Sequence, residues 1–448
     1  MGVKIVLIGA GSAQFGYDTM GDIFQSAVLP GSHIVLHDIN PVALEGVFKN
    51  GQKFIQDHAL PYTITATSDR KEALQGADFC IISIEVGNRF ALWNQDWHIP
   101  MHFGFHQIMG ENGGPGGLFH ALRVIPPILA ICADIRAICP QATVINFSNP
   151  MTKICTTVHR KFPDLKFIGL CHEIESLEQQ LPLLLNTPYE NLRLRAGGLN
   201  HFSILVEASY KDSGLDAYPD IRAKAPAYFE NMASLREVID ELKRMEAGST
   251  PMSEPSLREH AGKWAERGVF RIILEQYGYL PITTDSHIGE YMPWAQDAGD
   301  HRAVLDFFHF YQEWLKKDPE IEIKLHERVV PIFEGILTDS GYEEAAVNLP
   351  NQGYIDGLPD FLAVEVPAIV NKQGVKGIRF ENYPKNFRAL LANQVGVNDL
   401  IAEAVIKGSR DLALQALLAD PCVHQYHAAC RLLDYMLIVQ EDYLGYLK

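Results

Sequence analysis

The stretch KFIGLCHEIESLEQQ, residues 166–180, closes an apolar run on Cys171 and His172 and follows it at once with Glu173 and Glu175. Further along, GGLNHFSILVEA sets His201 at the head of a second apolar run. Thiolate, imidazole and carboxylate together are donors for a divalent metal. Only Cys171 and His201 fall at matching points, each at the edge of an apolar run facing the same end of a sheet. Two protein ligands are too few for a structural zinc site, whose shell is closed by the protein. They suit a catalytic ion that keeps positions open to substrate oxygens, and an oxygen-rich shell suits Mn²⁺. On spacing alone, a buried free thiol and a core histidine remain the better reading of the same pair.

What must position these residues is a sheet. VKIVLI (3–8) is a buried strand, and GAGSAQFGYDTMGDIF reads as a glycine turn opening a helix. HIVLHDI, YTITATS, FCIISIEVG, ATVINFSNP and DLKFIGLCH follow as further strands, with helical spacing between several of them and around 118–139. This alternation predicts an α/β, Rossmann-like doubly wound sheet over 1–170. An α+β substrate and metal domain is expected over 171–448, in a lactate/malate dehydrogenase-like topology. Beyond His201, HFSILVEASYKDSGLDAY predicts a hairpin about Lys-Asp-Ser-Gly, and long helical patterns fill much of 220–330 and 384–447. EAGSTPMSEPS (246–256) predicts a mobile loop or lid.

Composition bounds the possible partners. The 448 residues are 47% hydrophobic and 21% charged, as expected for a globular protein with a sizeable core. A net charge of −17, spread along the chain, argues against nucleic acid and anionic membranes as partners. Seven scattered cysteines are no disulfide framework and point to a reducing compartment. The opening apolar run is too short for a signal peptide, and no apolar run is long enough for a membrane span, so a cytoplasmic protein is expected.

The first strand-turn-helix carries a second kind of chemistry. Gly9, Gly11 and Ser12 lie between strand and helix, where the backbone can approach a pyrophosphate at the positive end of the helix. Asp38 ends the next strand and is placed to hold ribose hydroxyls, which favours NAD over its 2′-phosphorylated form. Gln14 stands where the fingerprint has its third glycine. In VINFSNP, Asn146, Ser148 and Asn149 gather at the carboxyl end of a strand, where nicotinamide ribose and substrate meet; an Asn-Pro turn is the plainer alternative.

IGAGS, GENGGPGG (110–117), NFSNP (146–150), GLCHE (169–173), GLNHF (198–202) and DSHIGEYMPW (285–294) occur together and in order. In these motifs the chain resembles glycoside hydrolase family 4, the NAD- and Mn²⁺-dependent family, over nearly its whole length. The resemblance makes Cys171 and His201 the metal ligands. It implies oxidation of the sugar at C3 by NAD⁺, removal of the C2 proton, and elimination of the glycosidic oxygen from C1. Water and the hydride are then returned. Family members place their acid at His172, and Glu173 or Glu175 would orient it or contact sugar hydroxyls. The C2 base lies among Asp285, His287 and Tyr291, with Asp285 preferred because a carboxylate needs no drop from a pKa near ~10. Glu111 would raise the basicity of that base, and Asn149 would contact a sugar hydroxyl. Homodimers or homotetramers are expected.

Cys-His-Glu resembles the subgroup acting on α-linked galacturonic acid, with short pectin-derived oligosaccharides as substrates. A uronate needs a cation, and Arg89 is the first choice, with Arg258, Arg379 and Lys372 as alternatives. Other sugars within the family (α-glucuronides, α-galactosides, α-glucosides) form the second reading. A 2-hydroxy acid dehydrogenase is a third, distinguished by net absorbance change at 340 nm. An NAD-binding redox sensor is a fourth, and it needs no metal pair.

Overall fold

The computed structural model describes residues 2–12, 15–230, 235–246, 268–316, 319–325 and 327–448. Six short strands rich in Val and Ile come first: β1 (Lys4–Ile8), β2 (His33–His37), β3 (Thr63–Thr67), β4 (Phe79–Ile82), β5 (Thr143–Asn146) and β6 (Lys166–Gly169). The central ones are buried along their length, as strands covered on both faces must be. They pair in parallel in the order β3-β2-β1-β4-β5-β6, the two-winged arrangement that places ligands at the carboxyl ends.

The helices between them start where the sequence supplies a cap. Asn40 accepts from Val42 and Ala43 N–H at 3.1 and 3.2 Å to open α2 (Pro41–Asp57), after α1 (Phe15–Gln25). Asp69 caps α3 (Arg70–Leu74), and Asn88 caps α4 (Arg89–His102). Neither α5 (Gly114–Ile138) nor α6 (Met151–Lys161) has a side-chain cap of its own. The apolar α5 is one of the main core elements on one face of the sheet.

The sheet continues past residue 170. β7 (Leu192–Leu199) and β8 (Phe202–Tyr210) form an antiparallel hairpin whose two-residue turn is Asn200-His201, with His201 at φ +63°. β9 (Tyr342–Pro350), β10 (Ala363–Asn371) and β11 (Gly374–Gly377) complete eleven strands. β9 joins the parallel part beside β6 at Gly169 and Asn348, and β10 meets β7 at Glu365 and Gly198. The return predicted about Lys-Asp-Ser-Gly exists, reaching Ala217 by Ala217 N–H to Ala208 O at 2.9 Å. The long partner of β8 is nevertheless β7. Of the expected lid, only Glu246 lies within the described residues. Two core clusters cover the faces of the parallel part, and the clusters about Phe202 and Phe270 cover the extension.

Candidate active site

Most of the residues singled out for chemistry lie at or near the carboxyl edge of the parallel strands. After β1, Gly9 adopts φ +91°, and a Cβ there would stand 2.0 Å from the Ser83 carbonyl oxygen. Gly11 donates its N–H to Asp38 Oδ2 at 2.9 Å, and Asn40 N–H donates to Oδ1 at 2.8 Å. The β1 turn and the β2 acid are therefore one unit. Asn146, fully buried, donates to the Ser148 carbonyl at 2.9 Å. Its Oδ1 and the Ser12 Oγ are buried without a partner among the described residues. Such orphaned atoms carry a free-energy cost unless a ligand meets them. They fit a dinucleotide. Ser148 ties the ends of β4 and β5 together through Ile84. Asn149 accepts from Met151 N–H at 3.3 Å, in a cis peptide with Pro150.

Beyond β6 the chain delivers Cys171 and Glu173, and the β7–β8 turn delivers His201. Cys171 Sγ is 3.6 Å and Glu173 Oε1 3.5 Å from His201 Nε2. All three side chains are buried, and their donor atoms lie within 4.8 Å of one another. Burial, more than any charge, pulls the His201 pKa down to about 4, leaving the neutral imidazole that ligates metals. Burial also pushes the Cys171 thiol well up, helped by Glu173 and Glu365. Only a strong local cation would hold it as a thiolate. The S, N, O donor set and the orphaned Glu173 Oε2 fit a divalent ion. Glu173 thus enters as a third donor, where the sequence suggested it would orient His172. Beneath the cluster, buried Arg328 donates to the Cys171 carbonyl at 2.7 Å and pairs with Glu344.

The segment Asp285–Tyr291 crosses in front. His287 Nδ1 lies 2.7 Å from Glu173 Oε1, and its ring centroid is 4.2 Å from that of His201. Thr283 hydroxyl donates to the same Glu173 oxygen. Burial opposes a charged His287, but the Glu173 hydrogen bond and the Glu173 and Glu111 charges outweigh it and lift its pKa to about 9. Nε2 looks toward Glu111 Oε2 at 3.9 Å.

Asp285, the base preferred from the sequence, has another role. Its oxygens accept N–H groups of Val269 and Phe270 at 2.9 and 2.8 Å, capping the helix Gly268–Tyr277. Both of its oxygens are engaged by backbone donors. Asp285 is thus committed to a helix start, whereas His287 of the same segment contacts Glu173 of the Cys171–Glu173–His201 cluster. Tyr291 is buried, stacked on Phe202 at 4.7 Å, and its hydroxyl donates to the Asn200 carbonyl at 3.3 Å. Burial, then neighbouring carboxylates, push its pKa well up. It is a poor proton acceptor as placed.

Glu111 is held by two residues the sequence reading passed over. The Glu290 carboxylate accepts N–H groups of Glu111, Asn112 and Gly113 at 2.5, 2.8 and 3.0 Å, filling the turn that feeds α5. Lys153, fully buried on α6, donates to the Asn112 carbonyl at 2.5 Å. The visible signals were a lone lysine in the apolar MTKICTTV and a second acid in DSHIGEY. Arg89 reaches Glu111 at 3.2 Å and Glu85 at 3.5 Å, and it donates to the Tyr311 hydroxyl at 3.0 Å. Its charge is already matched by two carboxylates. Of the other proposed uronate anchors, Lys372 is exposed and paired with Asp339 at 2.9 Å, and Arg379 is exposed. Arg258 lies outside the described residues. His172 stands at the rim, its side chain 61% exposed, with Glu327 at 3.4 Å from Nδ1. Partial desolvation opposes the cation there, and Glu327 and its neighbours raise the pKa above it.

Residues 4–187 match the model for family 4 glycosyl hydrolases, and residues 196–423 match that for the C-terminal domain of the same family. The chain belongs to glycoside hydrolase family 4. Within the family it is 57% identical to the alpha-glucosidase of Erwinia rhapontici over the full length of both chains. It is 29% identical to the alpha-galacturonidase of Thermoanaerobacter italicus, over 99% of this chain and 97% of that one. The fold superposes on the lplD protein of Bacillus subtilis with a TM-score of 0.79 at 26% identity, covering 97% of this chain and 100% of that one. A 6-phospho-alpha-glucosidase from gut microorganisms, solved with NAD and Mn²⁺, gives 0.78 at 21% identity and full coverage of both chains, a likeness of fold. This family 4 protein is an α-glycosidase. The galacturonide preference suggested by Cys-His-Glu is outweighed by the full-length similarity to the Erwinia enzyme.

Proposed function

We propose that this family 4 enzyme is an α-glucosidase that works with NAD⁺ and Mn²⁺. The observation that carries the reading is the 57% identity to an alpha-glucosidase over the full length of both chains, against 29% to the galacturonidase. The engagement of Arg89 by Glu85 and Glu111 supports it, because a uronate would have to displace one of them. Gly9, Gly11, Ser12, Asp38 and Asn146 would hold the dinucleotide, and Cys171, Glu173 and His201 the metal. Bound there, they would supply a hydride acceptor and a positive charge to stabilise the oxyanion that develops on the sugar.

The remaining work falls to the chain. His287, with Nδ1–H directed to Glu173, turns Nε2 toward the C2 proton. The charge of Glu173 keeps this ring protonated, and a cation drawing on Glu173 would release that hold and free Nε2 to accept. Glu111 stands behind Nε2 and favours the imidazolium that results. His172, whose protonated form Glu327 favours at the rim, donates to the departing oxygen. Asn149 offers an amide to a sugar hydroxyl.

The test is parallel incubation of p-nitrophenyl α-D-glucoside, α-D-galactoside and α-D-galacturonide with NAD⁺, Mn²⁺ and a reductant in D₂O. Release from the glucoside with deuterium at C2, and no net change at 340 nm, is expected. Release from the galacturonide alone would overturn the sugar assignment. Release without deuterium would overturn the proton abstraction.

A further inference from the structure

Phe307, Tyr311 and Trp314 share one face of the helix His301–Trp314 at i, i+4 and i+7. Their rings run in a row: Phe307 and Tyr311 are 5.8 Å apart at 8°, and Tyr311 and Trp314 are 6.0 Å apart at 26°. All three are half-buried, whereas Phe308 and Trp93 behind them are buried at 3% and 5% exposure. The helix therefore sends one aromatic ring inward and keeps a nearly parallel set partly open. Phe90, at the start of α4, abuts Tyr311 edge-on at 5.8 Å.

This row begins where the contacts of the active site end. His287 Nε2 faces Glu111 at 3.9 Å, and Glu111 meets Arg89 at 3.2 Å. The Arg89 guanidinium lies 5.0 Å over the Tyr311 ring and donates to its hydroxyl. Glu85 stands on the other side of Arg89, its side chain 36% exposed. Flat apolar rings beside a carboxylate and a guanidinium match a neutral sugar, which offers a C–H face and a rim of hydroxyls.

We infer that the Phe307–Tyr311–Trp314 face is the subsite for the leaving-group sugar, with Glu85 and Arg89 as its hydroxyl-binding rim. The inference rests on the α-glucosidase reading only in the choice of test sugar. A hexose leaving group lies across the rings while the cleaved glucose sits against His287 and the metal donors.

The experiment compares maltose with α-D-glucosyl fluoride, whose leaving group has no ring to stack. Trp314→Ala and Phe307→Ala are each expected to lower the maltose-to-fluoride ratio of kcat/KM about tenfold, the worth of a good aromatic contact. Trp314→Tyr should keep most of that ratio. An unchanged ratio, including an equal loss on both substrates, would overturn the inference. A wild-type enzyme inactive on both substrates would overturn the α-glucosidase reading instead. The same ratio would then be read on the α-linked disaccharide it does cleave and the matching glycosyl fluoride.

Discussion

Lys153 offers a direct test of the buried electrostatics behind Glu111. It lies wholly inside the fold, with its ammonium on the Asn112 carbonyl and 5.7 Å from the centre of the Tyr291 ring. Burial drives its pKa down to about 8, against the opposing pull of Asp420 and Glu290. A free lysine titrates near ~10.4. Between those values the unfolded chain holds a proton that the folded chain has released, so stability rises with pH. Below pH 8 both states carry the proton and the burial penalty is present in full. Across the window the gain amounts to about 3 kcal/mol. Lys153→Met keeps the volume and removes the titration. For a chain of 448 residues, that energy corresponds to roughly 3 °C in Tm. Melting curves of both proteins from about pH 7 to pH 10.5 should therefore diverge, the wild type gaining on the variant as pH rises. Tyrosines ionise alike in both and cancel. Parallel curves would refute the reasoning.

Three further outcomes are expected. Glu290→Gln strips charge from three N–H contacts, so Tm should fall by a few degrees (about 2–4 kcal/mol) and kcat should fall more than KM changes; unaltered kcat would show that the placement of Glu111 does not depend on it. Asp285→Asn should cost about 1–2 kcal/mol of stability as a lost cap and change kcat less than tenfold, whereas His287→Gln should lower kcat by roughly 10²–10⁴; the reverse ranking would return the base to Asp285. Chelation or thiol oxidation should abolish turnover, and Mn²⁺ with a reductant should restore it; full activity in a metal-free, oxidised sample would remove Cys171 from the mechanism.

What could be read from the chain was whatever one strand and its following turn hold. Gly9, Gly11 and Asp38 announce themselves because apolar runs and a turn residue sit side by side, and Cys171 for the same reason. Glu173 was visible, but its role was not, because its partners His201 and His287 come from a distant hairpin and a distant helical turn. That Asp285 caps a helix was not legible either, because the helix it caps starts before it in sequence. The strands β9 to β11 lay in a stretch whose periodicity was too coarse to read, so their addition beside β6 came from topology alone. Glu290 and Lys153 look like ordinary residues until the fold brings them to the Glu111 turn.

The junction of β6 with β9 has a mechanical meaning. Cys171 follows β6 and His201 turns the β7–β8 hairpin, and both belong to one hydrogen-bonded sheet. Arg328 fastens the Cys171 carbonyl to the β9 side through Glu344. The spacing of thiol and imidazole is therefore set by the backbone before any ion arrives. In a domain whose donors converge only on metal, stripping the ion unfolds the chain. Here the donor geometry is preorganised, so removing an ion bound there would leave the scaffold in its shape.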